Sequence, residues 1–234
     1  MSQTQETPSS RTRYWVRFTL FVGCGLVVLI GLNVGYQALS TLNQLDIIEA
    51  ERDHWQHPSE VIQALNLKSG ETVADLGCGS GYFSLKLSEP VGPNGRVIAE
   101  DIRRLSLAFL WIRTQRKGKH NVRVLLGDVD DPHLAPHSVN AVLISNTYHE
   151  FTAPGAIMDH VRQSLVPGGR IVIIDRTPKD QQEPGAAFQE HEISSEQVQA
   201  ALHKAMFEID SRTDHFIESD PEHEKWWMIV AHRP

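Results

Sequence analysis

The sequence predicts an α/β protein. It reads as a doubly wound, mostly parallel seven-stranded sheet with an antiparallel terminal hairpin, preceded by one N-terminal transmembrane helix. Three observations lead there. From residue 57 onward, short apolar runs alternate with amphipathic stretches, the pattern of strand–helix units that feed a parallel sheet. The last two apolar runs follow one another with no helix between them, which pairs them antiparallel. Near the start, Phe18 to Leu39 is uncharged and long enough to cross a bilayer.

Composition bounds the function. With 234 residues, 41% hydrophobic and 22% charged, the chain suits one globular domain plus an extension. The net charge of −7 resides in the body, because Arg11, Arg13 and Arg17 cancel Glu6, Asp46 and Glu49 within residues 1–50. An acidic body lacks the clustered Lys and Arg that phosphate contact needs, which argues against a nucleic-acid partner. Cys24 and Cys78 suggest no disulfide framework, and the histidines show no spacing that would mark a metal site.

Residues 1–13 are polar and read as a disordered N-terminus. Residues 14–39 read as a transmembrane or signal-anchor helix, with Trp15 and Tyr36 near its edges, where amphipathic rings favour the membrane interface. The same arginines fit the n-region of a cleaved signal peptide, the competing reading, although no convincing small-x-small cleavage site follows. The positive-inside rule places the N-terminus in the cytoplasm and the body outside it. Residues 40–56 read as a polar, partly helical connector, and residues 57–234 as the globular domain.

The first helix of that domain is capped by Ser59 and carries the apolar stripe Val61, Ile62, Leu65 and Leu67. Thr72 to Leu76 is the first strand. It runs into Gly77-Cys78-Gly79-Ser80-Gly81 and then a helix ending near Ser88. Glycines at a strand-to-helix turn let backbone approach a ligand closely, and the helix points free N–H groups at it. The spacing is not the G-x-G-x-x-G of dinucleotide sites, and Asp75, two residues ahead, would repel a pyrophosphate. A ligand with a cationic end fits better. S-adenosylmethionine (SAM) offers an ammonium for Asp75 and a carboxylate for the loop amides.

Arg96 to Asp101 is the second strand and ends in two acids. Asp101 is favoured over Glu100 as acceptor from the hydroxyls of a ribose. An amphipathic helix covers Arg103 to Lys117. After the third strand, Val122 to Leu126, comes Gly127-Asp128, whose acid can accept from the exocyclic amine of adenine. The fourth strand, Val139 to Ser145, is almost wholly apolar and therefore covered on both faces. It leads into Asn146-Thr147-Tyr148-His149-Glu150-Phe151, at the end of a central strand where open α/β sheets bind ligands. A helix from about Pro154 to Leu165, a turn at Val166 to Gly169 and a fifth strand from Arg170 to Asp175 follow. The polar stretch Thr177 to Ile193 is expected to shape a substrate pocket, and Ser194-Ser195-Glu196 to cap a helix reaching Ala205. Phe207 to Ile217 and Trp226 to Ala231 form the hairpin, joined at Ser219 to Glu222. Trp226 and Trp227 are assigned to packing.

Residues 57–232 resemble the class I SAM-dependent methyltransferases, in particular those of small molecules and quinones. Four segments carry the likeness: Val73 to Gly81, Gly95 to Ile102, Leu126-Gly127-Asp128, and Leu165 to Gly169. The resemblance implies a Rossmann-like sheet of strand order 3-2-1-4-5-7-6 and SAM as cofactor. It also implies methyl transfer to a small or lipid-like acceptor by in-line displacement. It places the methionine end on Asp75, Gly77, Gly79 and Gly81, the ribose on Asp101 and the adenine on Asp128. Asn146 to Glu150 would then lie beside the sulfonium, with Asn146 on the cofactor. Asn146-Thr147-Tyr148 is similar to the Asn-Pro-Pro-Tyr motif of nucleic-acid methylases but lacks both prolines, so that substrate is not transferred. His149 is the candidate base for an acceptor that must lose a proton, since imidazole titrates near neutrality, with Tyr148 or Glu150 orienting it. Two competing functions are a membrane-anchored SAM-fold module without catalysis and an NAD-dependent oxidoreductase. The glycine spacing and Asp75 disfavour the latter. A body outside the cytoplasm is in tension with a cofactor made inside it.

Overall fold

The computed structural model describes residues 10–178, 192–218, 220–221 and 224–234. Residues 1–9 lie outside that set, as do 179–191 of the expected substrate loop and positions 219, 222 and 223 at the hairpin turn. The chain divides into two units, Met1–Ile48 and Glu49–Pro234.

The described part of the first unit is helical and belongs to α1 (Ser10–Trp55). Phe21, Val27, Leu32 and Leu39 expose their side chains, and the helix is long and apolar enough to cross a membrane. Two boundaries differ from expectation. Ser10 to Arg13, expected to be disordered, are helical, and so is the expected connector as far as Trp55. No proline stands between Pro8 and Pro58, so nothing forces the helix to stop earlier.

The second unit holds the sheet. α2 (Pro58–Ala64) begins on Pro58, and the residue before it, His57, takes a left-handed conformation at φ 51°. Ser59 therefore lies inside the first turn and is not the cap; proline at the first helical position supplies the start instead. The strands are β1 (Thr72–Leu76), β2 (Arg96–Asp101), β3 (Val122–Leu126), β4 (Val139–Ser145), β5 (Leu165–Arg176), β6 (Glu208–Ile217) and β7 (Trp226–His232). They lie in the order β3-β2-β1-β4-β5-β7-β6. β1 to β5 are parallel, and β7 runs antiparallel to both β5 and β6. This is the order that the resemblance implies.

Alternation along each strand divides the core between the two faces. Ala74, Leu76, Val142, Ile144, Ile171 and Ile173 pack under α5 (Pro154–Ser164) and α6 (Ser195–Lys204). Val73, Val97, Ala141, Leu143, Val172 and Ile174 pack under α2, α3 (Tyr82–Val91) and α4 (Arg104–Arg116). Strands buried on both faces must be apolar throughout, which is why β4 and β5 lack a polar side.

The turn expected at 166–169 is absorbed into β5 as an irregularity: Leu165 pairs with Val139, and the next partners are Arg170 and Ala141. Its backbone is held by the residue after β7, since Gly168 N–H donates to Arg233 O and Arg233 N–H to Gly169 O, each at 2.8 Å. Trp226 and Trp227 are both buried. Their indoles donate to Asp220 Oδ2 at 3.0 Å and to Ile193 O at 2.7 Å.

Candidate active site

β1 and β4 are neighbours whose chain continuations leave in opposite directions across the sheet, so a crevice opens at their carboxyl ends. The glycine loop 77–81 lines one side. Gly77 and Gly81 take φ of +66° and +93°, which other residues avoid. A Cβ on Gly77 would sit 2.1 Å from Thr147 Cγ2, and one on Gly81 2.2 Å from Leu110 Cδ1. These two glycines thus let the loop pack against β4's turn and α4. Gly79, at φ +55°, would meet nothing within 4 Å.

Four loop amides are already engaged within the protein. Cys78 N–H donates to Glu100 O at 2.9 Å, Gly79 N–H to Asp101 Oδ2 at 2.8 Å, Gly81 N–H to Cys78 O at 2.9 Å and, at the limit of bonding distance, Gly77 N–H to Glu100 Oε2 at 3.5 Å. The amides expected to receive a ligand carboxylate are thus largely bonded inside the protein.

Asp75 is almost wholly buried and its Oδ2 accepts from Ser84 Oγ at 2.5 Å. Burial pushes its carboxyl up to about 7, against the hydrogen bonds from Ser84. Glu100, one strand away, is likewise pushed up to about 8 by burial. A Cβ on Gly127 would lie 1.9 Å from Glu100 Oε1, so the glycine before Asp128 makes room for this acid. Asp101, the residue favoured for the ribose, is buried. Besides Gly79 it accepts from Arg103 N–H at 2.7 Å and Arg103 Nε at 3.2 Å. It braces the loop, and Glu100 shares its cavity. Asp128 is exposed, with His133 Nε2 3.2 Å from its Oδ2.

The other side of the crevice is the turn after β4. Asn146 is left-handed at φ 54° and its N–H donates to Ile174 O at 2.8 Å. Its Oδ1 is buried with no hydrogen-bond partner. Tyr148 lies in the apolar core beside Phe151, with ring centroids 5.5 Å apart, and its hydroxyl has no partner. Tyr148 lines neither cavity described below and makes no hydrogen bond to His149, so the expectation that it orients His149 in catalysis gives way to a packing role. His149 is also buried and its partner is neither Tyr148 nor Glu150 first: Nδ1 lies 2.7 Å from Asp175 Oδ1, and His149 N–H donates to Asp175 Oδ2 at 3.1 Å. Asp175, at the end of β5, also accepts from Arg176 N–H at 2.8 Å. Asp175 thus meets the His149 side chain and two backbone N–H groups at once, which fixes the orientation of the ring. His149 Nε2 stands 3.9 Å from Glu150 Oε1.

Two residue groups were not singled out from sequence. Asp175 lies 26 positions from His149, and no spacing signals the pair. Glu49 to Trp55, assigned to a connector, packs against the glycine loop. The buried Arg113 forms two hydrogen bonds with Glu49 and donates to Ser80 O at 2.6 Å. Asp53 accepts from Tyr82 OH at 2.8 Å and from Lys86 Nζ at 2.9 Å, and Arg52 lies over the Tyr82 ring, 3.9 Å from its centroid. The acid–base pattern of Glu49, Arg52 and Asp53 at one-turn spacing was the available signal.

The crevice holds two adjoining cavities that share Gly77, Arg103, Thr147 and Glu150. The first is bounded by Arg52, Asp75, the glycine loop and Asn146. The second is bounded by Glu100, Asp101 and Asp128 with apolar walls from Leu76, Ile102, Val129, Pro132, Phe151 and Ile157.

A doubly wound sheet of this order with a glycine-loop crevice at the β1/β4 switch point defines a nucleotide- or cofactor-binding α/β protein. A family model described as a methyltransferase domain matches residues 67–230, and the chain belongs to that family. It is 25% identical over 140 residues to demethylmenaquinone methyltransferase of Oceanobacillus iheyensis, which covers 60% of this chain and 58% of that protein. It is 31% identical over 106 residues to arsenite methyltransferase of Halobacterium salinarum, 45% of this chain and 27% of that protein. The chain thus spans less than two thirds of the length of these curated relatives. Among solved structures, a SAM-dependent methyltransferase from Aquifex aeolicus superposes with a TM-score of 0.69 at 21% identity, covering 82% of this chain and 98% of that one. The likeness shows a shared fold.

Proposed function

We propose that this chain is a class I SAM-dependent methyltransferase that methylates a small or lipid-like acceptor. The adjoining cavities carry the reading. One offers a buried acid beside a glycine loop, and the other offers acids at a strand end with apolar walls. Together they complement a molecule with an amino acid at one end and a purine nucleoside at the other. The residues present fit SAM. Among the described residues Asp75 pairs with no cation, and Asn146 Oδ1 is a buried acceptor lacking a donor; both suit an ammonium. Glu100 and Asp101 would face the ribose, and Asp128 with the apolar walls the adenine, beside the Gly77, Gly79 and Gly81 backbone.

Bound there, SAM supplies a methyl group already activated by its sulfonium. The chain's share is to hold the acceptor in line and keep water out. Where the acceptor sheds a proton, Glu150 faces both cavities. His149, the base expected from the sequence, is fixed by Asp175 and lines neither cavity.

Calorimetry on the purified full chain in detergent tests this reading. SAM should bind, and Asp75→Ala and Gly79→Arg should each abolish binding. Absence of binding by the unaltered chain at millimolar SAM would refute it.

The membrane anchor is part of the proposal. It is supported by the uncharged run within α1 and by that run's exposed apolar side chains. The arginines before it favour a body outside the cytoplasm, and the supply of SAM favours a body inside. A C-terminal reporter active only outside the cytoplasm separates the two, and retention of the intact N-terminus in membrane fractions separates an anchor from a cleaved signal.

A further inference from the structure

The methionine end of SAM is a zwitterion, and Asp75 with Asn146 accounts for only its ammonium. The carboxylate needs donors, and four of the five loop amides are engaged with Glu100, Asp101 and Cys78. Three guanidinium groups reach this loop. Arg103 is tied to Asp101 through both its backbone N–H and its side chain. Arg113 is buried, bound to Glu49 and to Ser80 O, and lines neither cavity. Arg52 is different. Its Nε donates to the neutral Gln56 Oε1 at 2.8 Å, and among the described residues no carboxylate lies within ion-pair distance of it. It is half-buried, has its Cζ 3.9 Å from the centroid of the Tyr82 ring, and lines the same cavity as Asp75 and Asn146.

We propose that Arg52 binds the carboxylate of the cofactor's methionine end, opposite the Asp75 that binds its ammonium. This rests on the SAM-dependent reading above. A cation and an anion facing one cavity match a zwitterion in both sign and order, and the planar guanidinium can donate two parallel hydrogen bonds to a carboxylate. The Tyr82 ring steadies the guanidinium through a cation–π contact, and Asp53 in turn holds the Tyr82 hydroxyl. The assignment makes the end of α1 part of the cofactor site.

The test uses the full chain in detergent and two ligands, SAM and decarboxylated SAM, which keeps the ammonium and sulfonium and lacks only the carboxylate. The unaltered protein should bind SAM about 10- to 100-fold more tightly, the range for one charge-assisted contact. Arg52→Gln should lower affinity for SAM by that factor and for decarboxylated SAM by less than about threefold, erasing the discrimination. Arg52→Lys, which keeps a cation without the fork, should restore part of it. Equal affinity of the unaltered protein for the two ligands overturns the assignment without any variant. So does an equal loss of both ligands in Arg52→Gln, which would mean that Arg52 only supports the fold. An unaltered chain that binds neither ligand overturns the methyltransferase reading, and Arg52's role with it.

Discussion

The two turns that face each other across the crevice, 77–81 after β1 and 146–150 after β4, satisfy their polar groups in different ways. The glycine loop is largely bonded within the protein: the Gly77, Cys78, Gly79 and Gly81 amides, Asp101, Arg103 and Arg113 bond to one another, to Glu100 or to Glu49. The turn after β4 pairs its backbone with β5 and fixes His149 on Asp175, yet leaves Asn146 Oδ1 and Tyr148 OH buried without partners. A buried polar group without a partner is costly. One side of the site is thus built in advance, and the other keeps acceptor capacity in hand. The lesson is that a rigid wall and an unsatisfied one serve different ends, orientation and capture.

The largest effect should come from Asp75, which lines the same cavity as both turns. Its carboxyl is pushed up to about 7 from an ordinary 3.8, chiefly by burial. The folded chain then holds this proton more tightly than the unfolded one. The stability it contributes is complete at about pH 4 and falls as pH rises toward about 7. Asp75→Asn removes that slope. In chemical denaturation its stability relative to the unaltered protein should rise by up to roughly 4 kcal/mol between about pH 4 and about pH 8. Parallel curves would mean that Asp75 titrates normally and that the built side is not strained by its acid.

The contact between the turns can be broken directly. Gly77→Ala would press a methyl into Thr147 at a φ that alanine avoids, and should cost about 3 kcal/mol. Adding Thr147→Gly should return part of that loss, the signature of a shared contact in a double-mutant cycle. Purely additive losses would place the strain in Gly77 alone.

On the second side, Asp175→Ala removes the partner of His149 Nδ1 and the acceptor of two backbone N–H groups, and should cost about 2 kcal/mol in thermal denaturation. Smallest is Tyr148→Phe, which deletes a hydroxyl that bonds to nothing. Stability should change by less than about 0.5 kcal/mol and turnover by less than about twofold. A tenfold drop in kcat would return Tyr148 to the chemistry.

The fold was legible because its signals are local. β1 to β4 have the bounds that their apolar runs and the polar residues closing them predict. The hairpin was legible from the missing helix. The start of α2 was misread because Ser59 is a good cap by type, whereas Pro58 decides the geometry. The Asp75 position was legible from its distance to the glycines. Arg52, Arg113 and Asp175 were not, because each acquires meaning only from a partner far along the chain. Glu49 is 64 residues from Arg113, and Asp175 26 from His149. Charged residues on a helix read as solvated until such a partner is seen.

The position of β7 has a consequence for how the chain reaches this state. It is the last strand in sequence and lies between β5 and β6, so β6 has no neighbour until β7 arrives. Until then the Ile171 to Ile174 run of β5 presents an open apolar edge. Pairing of this kind is slow, because β7 registers against a strand about sixty residues earlier in the chain, Arg170 with His232. During that interval the nascent sheet is open to wrong partners. Faster aggregation of refolding chains that carry weakening substitutions in β7, with little change once folding is complete, would be the kinetic mark of that late insertion.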